Sequence, residues 1–120
     1  MEVLLIIGKI LFGALFMGAG FNHFKNMTAM VGYAQYKNLP FAKTGVFLSG
    51  LLLIIAPILF LFSILEIVSL SGLGIFLAVT AILFHNYWTV EDPQTKMNEQ
   101  ISFNKNVALL GAILVMITLL

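Results

Sequence analysis

Four long apolar stretches separated by short polar ones dominate the sequence. From Val3 to Asn22 only Lys9 interrupts the apolar run, and the polar stretch His23, Phe24, Lys25, Asn26 follows it. Glu2 stands where a secretory signal would carry positive charge, and no small-x-small cleavage pattern leads into a hydrophilic region, so a retained first span is expected. The second stretch, Phe41 to Phe62, is entered after Pro40 and contains Pro57. Neighbouring helices and water can satisfy the carbonyl that a proline frees inside a membrane, so a kinked span is expected here rather than a break. The boundary with the third stretch is nearly hidden, but Ser63 followed by Glu66 matches a capping box and starts the third span near Ile64, running to about Trp88. The fourth runs from about Phe103 to Leu120. At roughly 20 residues per crossing, four spans use up the chain, and with no linker between them one domain is expected.

Between spans one and two, Met27, Met30, Val31 and Ala34 recur at helical spacing, while Thr28, Tyr33, Gln35 and Tyr36 fall elsewhere. This pattern predicts a short helix lying in the membrane interface. Between spans three and four stand Glu91, Asp92, Pro93, Lys96 and Glu99, in which Asp92-Pro93 reads as a helix cap and first helical residue. The predicted fold is all-α: an integral membrane four-helix bundle with a short interfacial helix between spans one and two.

Composition agrees and narrows the function classes. The chain is 61% hydrophobic and 9% charged, with a mean hydropathy of +1.07, whereas soluble domains have about 45–50% apolar and about 25% charged residues. A net charge of +1 from six lysines and no arginine excludes a nucleic-acid partner. The absence of cysteine excludes disulfides, thiolate metal sites and a dithiol relay within the chain. No Ser-His-Asp constellation or Gly-rich phosphate loop supports hydrolase or nucleotide chemistry.

Alternating spans bring Asn22 and His23, Lys43 and Thr44, His85, Asn86 and Trp88, and Asn104, Lys105 and Asn106 to one depth, the expected polar end of the bundle. Small residues lead toward it: Ala14 and Gly18; Gly45 and Ser49; Gly74, Ala78 and Ala81; Ala108 and Ala112. Such stripes let membrane helices approach. The candidate ligand-binding residues are therefore Asn22, His23, His85, Asn86, Trp88, Asn104, Lys105 and Asn106, with no catalytic residue assigned.

Each candidate has a plainer reading. His23 and His85, the two histidines, suit hydrogen bonding or proton transfer to a small molecule; equally, each can satisfy nearby backbone. Bis-histidine haem ligation is the weaker reading because both lie at span ends rather than mid-span. No metal is expected, since no His-x-x-His or Glu-x-x-His pairing occurs and the carboxylates nearest His85 in sequence are Glu91 and Asp92. Lys105 can place a cation over a bound carbonyl or anchor its helix by snorkelling, and Trp88 with Tyr87 can stack on a flat ligand or mark the interface. Lys9, near a span end, is expected to snorkel without a functional role. Five of the six lysines flank the two polar connections, which places these in the cytoplasm and both termini outside.

Several motifs in order resemble the DoxX family of small four-span membrane proteins. They are Phe16-Met17-Gly18-Ala19-Gly20-Phe21-Asn22-His23-Phe24, Leu39-Pro40, Ser49-Gly50-Leu51-Leu52, His85-Asn86-Tyr87-Trp88 and Asn104-Lys105-Asn106-Val107-Ala108-Leu109-Leu110-Gly111. The resemblance covers almost the whole chain and implies a protein of a prokaryotic cell membrane. It further implies a subunit or accessory of a quinone-linked oxidoreductase, binding a quinone-like molecule at the polar end. Many relatives carry a glutamate after the Ser-Gly of span two, where Leu51 to Ala56 has none. The partners expected are membrane lipid, a membrane or soluble oxidoreductase and further copies of the chain. A non-catalytic membrane anchor for a partner protein is the alternative.

Overall fold

The computed structural model describes residues 2–120, and all regular structure among them is helical. The elements are α1 (Glu2–Lys25), α2 (Met27–Tyr36), α3 (Ala42–Leu61), α4 (Glu66–Leu83), a 3-10 turn at Tyr87–Thr89, and α5 (Pro93–Thr118). Four helical segments are long and apolar enough to cross a membrane: α1, α3, α4 with its following turn, and α5. The chain is an all-α membrane protein, with a short extra helix between the first two spans. It divides into two units, Met1–Leu73 and Gly74–Leu120, with the boundary inside α4.

In the first unit α1 buries Lys9, Gly13, Phe16, Gly20 and His23, at alternating steps of four and three residues. On α3 the buried positions include Val46, Gly50, Leu53, Pro57 and Phe60, in the same rhythm. This is the 3.5-residue repeat of a coiled-coil seam. Glycine is required at its centre: a Cβ on Gly20 would lie 2.8 Å from Ile54 Cγ1 and 3.0 Å from the Gly50 carbonyl oxygen. Gly13 packs against Pro57, which sits buried within an unbroken α3.

The expected small-residue stripe lies beside this seam rather than in it. Ala14 is exposed, a Cβ on Gly18 would meet nothing within 4 Å, and one on Gly45 would meet only Leu39 at 3.6 Å. Four-residue spacing drifts around a helix, whereas the 3.5-residue rhythm of Gly13, Phe16 and Gly20 stays on one face.

Helix α2 turns Ala34 fully inward, half-buries Met27, Met30 and Val31, and exposes Thr28, Tyr33, Gln35 and Tyr36, as its periodicity requires. The connection to α3 uses left-handed backbone at Asn38 (φ 61) and Phe41 (φ 53). Asn38 tolerates this conformation, whereas at Phe41, whose side chain is exposed, it is costly.

The turn between α3 and α4 departs from the expected capping box. Helix α4 begins at Glu66 rather than near Ile64, and Ser63 (φ 58) and Leu65 (φ 50) are both left-handed. Instead of capping, Ser63 and Glu66 accept hydrogen bonds from the Lys9 ammonium. A desolvated cation needs anionic and hydroxyl partners more than a helix end needs a cap.

In the second unit α4 stops at Leu83, short of the expected Trp88, where the Phe84 and His85 amides both donate to the Thr80 carbonyl. Helix α5 begins at Pro93, ahead of the span expected from Phe103. Asp92 caps it as its sequence predicts, its carboxylate accepting from the Thr95 amide at 2.9 Å and the Thr95 hydroxyl at 2.7 Å. One face of α5 (Glu99, Phe103, Asn106, Leu110, Ile113) follows α4 and its exit turn. A Cβ on Gly74 would meet Leu110 and Ile113. The Asn106 amide donates to Thr80 Oγ1 at 2.8 Å and to the Leu77 carbonyl at 3.4 Å. The expected small residues of α5 are off this face: Ala108 and Ala112 are exposed.

Candidate functional site

In the second unit the chain leaves α4 at Leu83 and places His85 and Asn86 in irregular backbone before the 3-10 turn. The Asn86 carbonyl accepts from the Thr89 amide at 3.1 Å and the Thr89 hydroxyl at 2.9 Å, which closes that turn. His85 Nδ1 lies 3.6 Å from Glu99 Oε1, with both side chains about three-quarters buried at 25% and 19% exposure. That separation is an ion-pair distance, longer than a hydrogen bond, and becomes an ion pair when the imidazole takes its second proton. The carboxylate beside His85 is therefore Glu99 rather than Glu91 or Asp92.

Tyr87, Trp88 and Phe103 form an edge-to-face trio beside this pair, with ring centroids 5.4, 5.5 and 5.6 Å apart. Such geometry places the positive edge of one ring on the negative face of the next. Trp88 remains 52% exposed, so the trio presents aromatic surface outward. An imidazole with a carboxylate partner can give up and take back a proton, and an exposed indole can pair with a flat ring.

The remaining candidates of this unit divide by helix face. Asn106 is 5% exposed and occupied by Thr80 and Leu77, inside the helix seam. Asn104 and Lys105 are exposed on other faces of α5. Three consecutive helical residues point about 100° apart, so Asn104, Lys105 and Asn106 do not present one surface.

In the first unit Asn22 is exposed; it accepts a hydrogen bond from the Asn26 side-chain amide and reaches Met30 Sδ at 4.0 Å. His23 is 7% exposed, and its Nδ1–H donates to the Ala19 carbonyl at 2.8 Å, which fixes its tautomer at that nitrogen. Its Cβ would lie 3.0 Å from a Cβ on Gly50, so the imidazole is set by the glycine seam. Lys43 and Thr44 are exposed.

Two chemically interesting groups escaped the sequence reading. Glu99 was legible in part: once Asp92-Pro93 starts a helix, Glu99, Phe103 and Asn106 fall at steps of four and three on one face. The other is Lys9, expected to snorkel but in fact 7% exposed, with Nζ 3.0 Å from Ser63 Oγ, 3.1 Å from Glu66 Oε1 and 4.7 Å above the Phe60 ring. Burying a lone ammonium costs several kcal/mol, which a carboxylate, a hydroxyl and a ring face together can offset. Nothing in the order of residues links Lys9 to a partner 57 positions away. Among the described residues no group of three or more His, Cys, Asp or Glu could hold a metal ion.

Comparison with protein-family models, with curated proteins and with solved structures found no match.

Proposed function

We propose that this chain is a DoxX-like protein of a prokaryotic cell membrane that binds a small quinone-like molecule where α4 hands over to α5. In this reading it serves as a subunit or accessory of a quinone-linked oxidoreductase. One observation carries the proposal: the His85–Glu99 pair stands beside the Tyr87, Trp88 and Phe103 rings, with the indole half exposed. A quinone offers a flat ring for the indole and a carbonyl oxygen for an imidazole N–H. When a partner's reductant delivers electrons to the ring, the reduced oxygens need protons, and His85 backed by Glu99 can donate one. The chain's own residues bind, orient and protonate, while the redox equivalents come from the bound ring and the partner.

The motif positions His85 and Trp88 support the reading, because they fall within the arrangement that the geometry singles out. The lysine distribution supports cytoplasmic polar connections with both termini outside. A protease-site insertion after Glu91, cleaved in inverted but not right-side-out vesicles, is the expected outcome; the reverse pattern would overturn the orientation.

A second reading, a non-catalytic anchor for a partner protein, is favoured by one observation: residues 93–98 of α5, rich in polar side chains, are all exposed. Titrating the purified protein with a short-chain naphthoquinone separates the two. Saturable quenching of Trp88, the single tryptophan, supports the quinone reading. No saturable binding, with a partner that co-purifies and is lost when Gln94, Lys96 and Asn98 are replaced by alanine, supports the anchor.

A further inference from the structure

The first unit contains a polar cluster of its own, at the other end of α1 from His23. Lys9 lies 14 positions before His23 on α1, roughly 21 Å along the helix at 1.5 Å per residue. Its ammonium reaches across to the α3–α4 turn, donating to Ser63 Oγ at 3.0 Å and Glu66 Oε1 at 3.1 Å and lying over the Phe60 ring. The turn it holds carries unfavourable features. Ser63 and Leu65, neither of them glycine, both have left-handed backbone, a conformation that persists only where surrounding contacts impose it. One turn into α4, Ser69 Oγ is buried with no hydrogen-bond partner among the described residues, and Leu70 and Leu73 beyond it are fully buried.

We propose that Lys9, Ser63 and Glu66 form a latch that holds the α3–α4 turn closed over the interior of the first unit. The closed turn retains strained backbone and an unsatisfied hydroxyl; the open turn relaxes the first and hydrates the second. What favours closure is the three-way contact of one ammonium, so loss of either charge shifts the population toward the open turn. Among the described residues of the first unit, no other ionisable side chain lies on the helix segments that carry the pair. Helix α3 has none between Val46 and Leu61, α4 has none after Glu66, and Glu2 on α1 is exposed two turns away.

The chain has no cysteine, so Ser69→Cys creates a single thiol that reports opening; the hydroxyl it replaces makes no hydrogen bond to lose. Ala34→Cys, buried on α2, reports general loosening of the same unit. With N-ethylmaleimide in detergent micelles, labelling at position 69 should be slow in the otherwise unaltered chain. It should rise about tenfold or more when Lys9→Gln or Glu66→Gln is added, as a shift of open-state population of that size requires. The doubly substituted chain should label no faster than the faster single variant, and labelling at position 34 should not change. Unchanged labelling at position 69 in Lys9→Gln overturns the latch, as does a double variant whose accelerations multiply. An equal acceleration at position 34 also overturns it, because the pair would then hold the whole unit rather than the turn.

Discussion

The two units bring membrane helices together by different chemistry. In the first, Gly20 and Gly50 let the backbones of α1 and α3 approach until no Cβ fits between them, and dispersion contacts do the rest. In the second, α4 and α5 are joined by side chains: the buried Asn106 amide reaches Thr80 and Leu77, with Leu110 and Ile113 over Gly74. A glycine seam is rigid and unforgiving of added atoms. A hydrogen-bonded seam tolerates changes of shape but depends on each polar partner. Lipid is as apolar as a leucine side chain, so neither seam can rely on the hydrophobic effect that drives soluble helices together. The difference also bears on function, because the glycine seam fixes His23 in place, whereas the polar seam ends at the loosely spaced His85–Glu99 pair.

The sharpest way to break this comparison is to add atoms to the tight seam. Gly20→Val should destabilise the first unit by about 3 kcal/mol or more, since two of the three atoms its Cβ meets belong to the backbone of α3 or lie at a Cβ. Gly18→Ala on the adjacent face, where nothing lies within 4 Å, should leave stability unchanged. Thermal unfolding in micelles checks both, and equal effects from the two substitutions would remove the tight seam from the account. A smaller effect is expected in the second unit. Asn106→Leu should cost about 1 kcal/mol, because interhelical hydrogen bonds in membranes contribute roughly 0.6 and at most about 1.7 kcal/mol. A loss as large as that of Gly20→Val would mean that the two seams do not differ in kind.

The smallest effect concerns the start of α5. The hydroxyl and amide of Thr95 hold the Asp92 carboxyl below the usual carboxylate range. A lowered folded-state value means that the cap contributes fully above about pH 4, the unfolded value, and is lost as pH falls through the folded one. Hydrogen exchange over residues 93–98, compared at each pH with Asp92→Asn, should show extra opening in the parent at low pH alone. Asparagine also caps helices but cannot titrate. Identical profiles in the two proteins would count against a titrating cap.

How far these regions were legible in the sequence depended on whether the signal was local. The buried face of α2 follows from Met27, Met30, Val31 and Ala34, and the start of α5 from Asp92 and Pro93, because periodicity and capping act within a few residues. The length of α5 was not legible from hydropathy: the turns carrying Gln94, Lys96, Asn98 and Glu99 are too polar to resemble a span yet continue the same helix, and Glu99 was lost as a partner of His85 with them. The seam of α1 was missed by one or two positions, since Ala14 and Gly18 look as suitable as Gly13 and Gly20 until α3 selects between them. Lys9 was least legible of all. An isolated lysine near a span end snorkels unless a carboxylate waits for it, and Glu66 becomes that carboxylate through tertiary structure alone.

The claim that matters most is that His85 and Glu99 act together on a ring bound beside Trp88. Its most direct test is a naphthoquinone titration read by Trp88 fluorescence in the parent, His85→Ala, Glu99→Gln and the double variant. The account predicts saturable quenching in the parent, affinity about tenfold weaker in His85→Ala, equivalent to 1.4 kcal/mol, and no further loss when Glu99→Gln is added to it. Quenching that rises linearly without saturation, unchanged across all four proteins, would contradict it.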